Sequence, residues 1–231
     1  MWGCLIWKLA DWNNPGHRGK VSVAQQAQRR DEMEQEGMRE IFSLQWELNI
    51  RTLANAGKDF ESTMNDPEQR VVWIENYRKA LSAELAELIR EVGDHGLGTR
   101  NGKIEIVDML HFLVSLSQIV GVEPQDISPF TPQNGASFEN CAIHAFLGID
   151  ELQNSMKWKW WAKGGGFKPE RARSALLGIW ESLALTCSVF GLPFADLKRI
   201  YVEKNRINFE RQRQNYNEDT KTEADNLSID A

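Results

Sequence analysis

The stretch that most constrains this chain is KIEIVDMLHF, residues 103–112. Ile104, Ile106, Val107, Met109, Leu110 and Phe112 are strong core formers, and a helix apolar on most sides belongs inside a fold. Yet Glu105, Asp108 and His111 recur at three-residue steps, which puts them on one helical face. A solvated charged face is not this apolar around its charges. The stripe therefore reads as a site set into a core helix.

Such a helix needs neighbours, and the rest of the chain supplies them. Residues 23–38 are polar and helix-prone, a solvated helix or arm, and 39–57 show apolar residues near helical period, ending at Gly57. Asp66 caps a long helix with Pro67 at its first position, and that helix is expected to stop near Gly93. The opening helix spans about 103–121, and further helices are expected over 137–157, 169–190 and 193–217. Alternating β-branched patterns are rare, so the fold class is all-α, a bundle of helical hairpins. The 231 residues divide into an N-terminal extension (1–38), an all-α domain (39–217) and a polar, acidic tail (218–231) expected to be disordered.

A faint internal echo runs through the domain. AELAELIRE (83–91) resembles LGIDELQNS (147–155), pairing Glu87 with Glu151 at an offset of 64, and SLSQIVGVEPQDI (115–127) resembles ALTCSVFGLPFAD (184–196), pairing Gly121 with Gly191 at an offset of 70. This suggests a duplicated helical hairpin whose second copy lacks the acids, because Glu84 falls opposite Gly148, and Glu105 and Asp108 fall near Ala175 and Gly178.

A net charge of −6 argues against a nonspecific duplex nucleic-acid binder. The cysteines Cys4, Cys141 and Cys187 form no CxxC pair, so neither a disulfide scaffold nor a cysteine zinc site is expected, and a reducing cytoplasm is the natural setting. The longest apolar stretch, 175–192, contains Glu181 and reads as a core helix rather than a membrane span. The N-terminus lacks the features of a signal peptide.

AELAELIRE also supplies Glu84 and Glu87, one turn apart. Two antiparallel helices can face this pair toward Glu105 and Asp108. Four carboxylates cannot converge in a half-buried groove without cations, and oxygen-only ligands suit Mg²⁺, with Mn²⁺ as an alternative. The segment YVEKNRINFERQRQNY (201–216) adds Lys204, Arg206, Arg211 and Arg213 with Asn205, Asn208, Gln212 and Tyr216. Alone it is an amphipathic surface helix. Beside a metal–carboxylate cluster it reads as a phosphate clamp.

With these pieces in order, the sequence resembles the dimeric all-α dUTPases and the related phage dCTPase–dUTPases, within the all-α nucleoside triphosphate pyrophosphatases. LQWELN (44–49), ELAEL (84–88), EIVDMLHF (105–112) and the 201–216 segment match that family's motifs over about 39–217. The resemblance implies that Glu84, Glu87, Glu105 and Asp108 hold Mg²⁺, with Glu84 the first choice to orient the attacking water. It further implies phosphate contacts from Lys204, Asn205, Arg211 and Tyr216, and a nucleoside pocket lined by Gln45 and Asn49. Phe112 would pack on the base, with His111 and Asn208 near the base or sugar. The implied activity is hydrolysis of dUTP, or dCTP, to the monophosphate and pyrophosphate by a homodimer. The Trp/Lys-rich segment MKWKWWAK lies at 156–163, after the ExxD helix instead of between the two acidic helices. It would either close over the nucleotide or pack a dimer interface.

Two rivals come from other classes. Asp108-x-x-His111 echoes the ExxH of ferritin-like di-iron bundles, although no second such pair occurs in the chain. The other is a helical binding module without chemistry.

Overall fold

The computed structural model describes residues 22–131, 135–214 and 229–231. They form seven α-helices: α1 Val23–Asn55, α2 Phe60–Asn65, α3 Pro67–His95, α4 Arg100–Val120, α5 Phe138–Asn154, α6 Pro169–Val189 and α7 Phe194–Arg213, with a short 3₁₀ turn at Pro124–Asp126. No strand occurs among the described residues. The all-α hairpin architecture is as the periodicity indicates.

The local signals act as the sequence suggests. Asp66 accepts from the backbone N–H groups of Glu68 and Gln69 at 2.8 and 3.1 Å, with Pro67 at the first helical position. Thr99 caps α4 through Gly102 N–H and donates to Glu91 at 2.7 Å, which ties the α3–α4 loop to α3. Three boundaries differ from expectation. The helices anticipated at 23–38 and 39–57 are one helix, since nothing between them breaks the ladder. The helix α2 follows an Asp59 cap to Ser62 N–H. The stop of α3 falls at Gly96, whose φ of 84° ends the helix, while Gly93 stays helical.

The two hairpins α3–α4 and α5–α6 pack against each other, and α1 crosses to lie on α7 and α4. The helix α4 is central: 14 of its 21 residues are buried. The indole of Trp180 on α6 is buried and donates to Ser117 on α4 at 3.0 Å. The echo between the hairpins extends to burial. Ile74, Tyr77, Leu81, Leu85 and Leu88 of α3 are buried, and so are Phe138, Cys141, Ala145, Ile149 and Leu152, each 64 positions later. Gly121 and Gly191 both adopt positive φ after α4 and α6. Cys141 and Cys187 are buried free thiols; Cys4 lies outside the described residues. The last three residues touch the body, where Arg100 donates to the carbonyl of buried Ile229.

Candidate active site

One turn of α3 and one of α4 build the acidic end of the site. Leu81, Leu85 and Leu88 bury one face of α3, which leaves Glu84 half-buried and Glu87 exposed along its edge. On α4, Glu105 is buried. One carboxylate oxygen from each of Glu84, Glu87 and Glu105 lies within 4.8 Å of the others. Three like charges this close repel strongly without a cation among them. An octahedral Mg²⁺ holds oxygens at about 2.1 Å, so opposite ligands stand about 4.2 Å apart. Neighbouring octahedral ligands stand about 3 Å apart, so the three oxygens would draw closer to share such an ion.

Asp108 stands one turn along α4 and faces a different neighbour. Lys204 of α7 donates to its Oδ2 at 2.8 Å, with the lysine side chain only 4 % exposed. The carboxylate group is thus a cluster of three beside an Asp–Lys pair.

From this pair a cleft of about 230 Å³ opens between α1, α3, α4 and α7. Gln45 and Asn49 enter it from α1, Tyr77 and Glu84 from α3, Asp108, His111 and Phe112 from α4, and Lys204, Asn208 and Arg211 from α7. The α7 residues follow helical spacing: 204, 208 and 211 lie on one face. Asn205 is rotated off that face; it is buried against α1, with its amide 3.5 Å from the Leu44 carbonyl, and it does not line the cleft. Tyr216 lies outside the described residues. The exposed Trp160 and Trp161 stand in the α5–α6 connection and line no part of the cleft.

The cleft floor is aromatic and polar together. Tyr77 and Phe112 approach with ring centroids 6.1 Å apart, and His111 stacks on Tyr201 at 4.3 Å. His111 Nδ1 is 2.8 Å from Gln45 Oε1. Burial, reinforced by the Lys204 charge, holds its imidazole pKa down to about 3, so the ring is neutral at physiological pH. Burial pushes the Tyr77 and Tyr201 hydroxyls well above the usual phenol range. The metal-competent group contains no histidine, so the di-iron pattern lacks its nitrogen ligand there.

A family model described as dUTPase matches residues 37–216, which is most of the chain. The chain belongs to the dUTPase family. At the level of that family it is a hydrolase acting on dUTP, a small-molecule nucleotide. No curated protein and no solved structure matches the chain. Among the described residues no single helix is long and apolar enough to cross a membrane.

Sequence reasoning missed Tyr77, which lines the cleft, and Ser115, Gln118 and Tyr201, whose side chains hydrogen-bond Gln45 or Asn49 beneath it. The signal was helical spacing: Ser115 and Gln118 continue the 108–111 stripe of α4, and Tyr77 stands seven residues before Glu84.

Proposed function

We propose that this chain is a Mg²⁺-dependent pyrophosphatase that hydrolyses dUTP, with dCTP the next-ranked substrate, to the monophosphate and pyrophosphate. The observation that carries this reading is one cleft, in a chain of the dUTPase family, with carboxylates at one end, the cations Lys204 and Arg211 beside them and aromatic rings along the floor.

Glu84, Glu87 and Glu105 would hold the metal, and Asp108 would join them if Lys204 turned to a phosphate. A Mg²⁺ ion held there would supply charge neutralisation of the triphosphate and polarisation of the phosphorus under attack. The chain's own residues do the rest. Lys204 and Arg211 hold phosphate oxygens, Lys204 as a point charge and Arg211 with a planar fork. Glu84, half-buried at the cleft edge, orients the attacking water and accepts its proton. Phe112 and Tyr77 flank the base. A homodimer is the assembly we favour, supported by the exposed stripe Ile143, Phe146 and Leu147 on α5.

The test is pyrophosphate release from dUTP, dCTP, dTTP, dATP and dGTP, with Mg²⁺ and with chelator. Turnover of dUTP that chelation stops is the expected result. If none of the five is turned over with Mg²⁺, the enzyme reading fails.

A further inference from the structure

The polar groups beneath the cleft form one continuous chain, and its direction is fixed at one end. The carbonyl of Phe42 can only accept, and Gln118 Nε2 donates to it at 2.7 Å. Gln118 Oε1 must then face Asn49, whose Nδ2 donates at 3.0 Å. That turns Asn49 Oδ1 toward Gln45 Nε2 at 2.9 Å and Tyr77 Oη at 3.3 Å. A reversed Gln45 amide would set its oxygen against the oxygen of Asn49. Gln45 Oε1 therefore faces the other way, where Tyr201 Oη donates at 2.8 Å and His111 Nδ1 stands at 2.8 Å.

An amide oxygen accepts, so Nδ1 must carry the proton. A neutral imidazole has one N–H, and Nε2 keeps its lone pair. In this structure Nε2 is fully covered and has no hydrogen-bond partner; its ring belongs to the cleft lining, and a donor from the cleft reaches Nε2 when a neighbouring side chain swings aside. A buried acceptor without a partner is unfavourable and is relieved when a donor arrives. Gln45 itself has no capacity left. Its two amide hydrogens serve Asn49 and Ser115, and its oxygen serves Tyr201 and His111.

We propose that Gln118 and Tyr201 are positioning residues that hold His111 as its Nδ1–H tautomer, so that Nε2 accepts a hydrogen from an N–H on the base edge of the substrate. Gln45 relays this orientation and does not itself read the base. The inference rests on the cleft being the nucleotide site. Uracil offers N3–H and cytosine its exocyclic N4–H, whereas 2-pyrimidinone offers neither and adds no bulk.

The tautomer is read in the free, full-length protein by long-range ¹H–¹⁵N correlation of the imidazoles, with His111→Gln identifying the signal. The wild type should show Nδ1–H only. Gln118→Leu removes the anchor and lets the amides reverse, so an Nε2–H signal should appear. Tyr201→Phe keeps the stacked ring and removes one donor, and KM for dUTP should rise about three- to tenfold with kcat nearly unchanged. Wild-type kcat/KM should fall about 10- to 100-fold from dUTP to the 2-pyrimidinone deoxynucleoside triphosphate, and Gln118→Leu should shrink that ratio. An Nε2–H tautomer in the wild type overturns the proposal, as does equal use of both substrates. A Gln118→Leu protein that keeps both the tautomer and the ratio also overturns it, as does a loss seen with 2′,3′-dideoxy-UTP in place of the 2-pyrimidinone. Failure of every nucleotide to react would count against the enzyme reading, while the tautomer measurement would still decide the positioning roles.

Discussion

Replacing Lys204 with methionine keeps most of the apolar stem and removes the ammonium that meets Asp108 at 2.8 Å. At an effective dielectric of about 20, the attraction at that distance is on the order of 6 kcal/mol before desolvation. Removing one partner of a buried pair typically costs about 3–5 kcal/mol, because the other charge stays behind. Asp108 is 18 % exposed at the cleft, so water recovers part of the loss and the lower end, about 3 kcal/mol, applies. In a chain of this length that lowers the melting temperature by about 6–12 °C. Mg²⁺ should then stabilise the variant more than the wild type, since Asp108 becomes available to the ion and binding to the native state adds stability. Thermal unfolding followed by circular dichroism, with and without Mg²⁺, measures both effects. A Lys204→Met protein that melts with the wild type refutes the assignment of the pair as a buried stabilising contact. Equal Mg²⁺ shifts in both proteins refute the exchange of Asp108 between lysine and metal.

Other consequences can be checked separately. Glu105→Gln should lower turnover by at least about 100-fold with unchanged helicity; near-normal pyrophosphate release would remove Glu105 from the site. Gly93 sits inside α3, and a methyl added there would meet nothing within 4 Å, so Gly93→Ala should stabilise by about 0.5–1 kcal/mol in denaturant unfolding. A methyl at Gly148 would stand 2.6 Å from the Ile179 side chain, so Gly148→Ala should destabilise by about 1–3 kcal/mol. His111 is neutral in the fold, with its pKa lowered from 6.5 to about 3. The unfolded chain therefore binds the proton first as pH falls. The stability this represents is complete above about pH 6.5 and is lost at about 1.4 kcal/mol per unit below it. The groups that meet the ring, Lys204 and Tyr201 from α7 and Gln45 from α1, include no carboxylate to hold an imidazolium. His111→Gln should flatten that part of the pH profile, and an unchanged profile would count against a neutral buried ring.

Much of the fold was legible because its signals are local. Asp66–Pro67 starts α3 through its own side chain and ring, and the 84–87 and 105–108 spacings survive folding because a helix fixes them. What depends on helix crossings was not legible. The pairing of Asp108 with Lys204 is set by where α7 crosses α4, 96 positions apart in the chain. Asn205 is a different case. Its rotation away from Lys204, Asn208 and Arg211 follows from helical spacing alone, but a run of polar residues hid which face each one occupies. The chain through Gln118, Asn49 and Gln45 was hidden for another reason. Amides scattered along two helices look like ordinary surface polarity until both helices are buried against each other.

The paired hairpins explain why only one of them carries this chemistry. At the positions matching Glu84, Glu105 and Asp108, the second hairpin has Gly148, Ala175 and Gly178. Ile179 stands where a side chain at Gly148 would project, and the cleft of about 370 Å³ that Gly148, Ala175 and Gly178 line is left without those acids. The remaining acid, Glu151, is paired with Arg171 at 2.6 Å. Packing in the second hairpin in turn positions the first. Trp180 presses on the back of α4 and holds it through Ser117, so the polar stripe of α4 turns to α1, α3 and α7. A core helix can carry Glu105, Asp108 and His111 because its partners divide the work, with α6 taking the apolar back and the other three helices building the cleft.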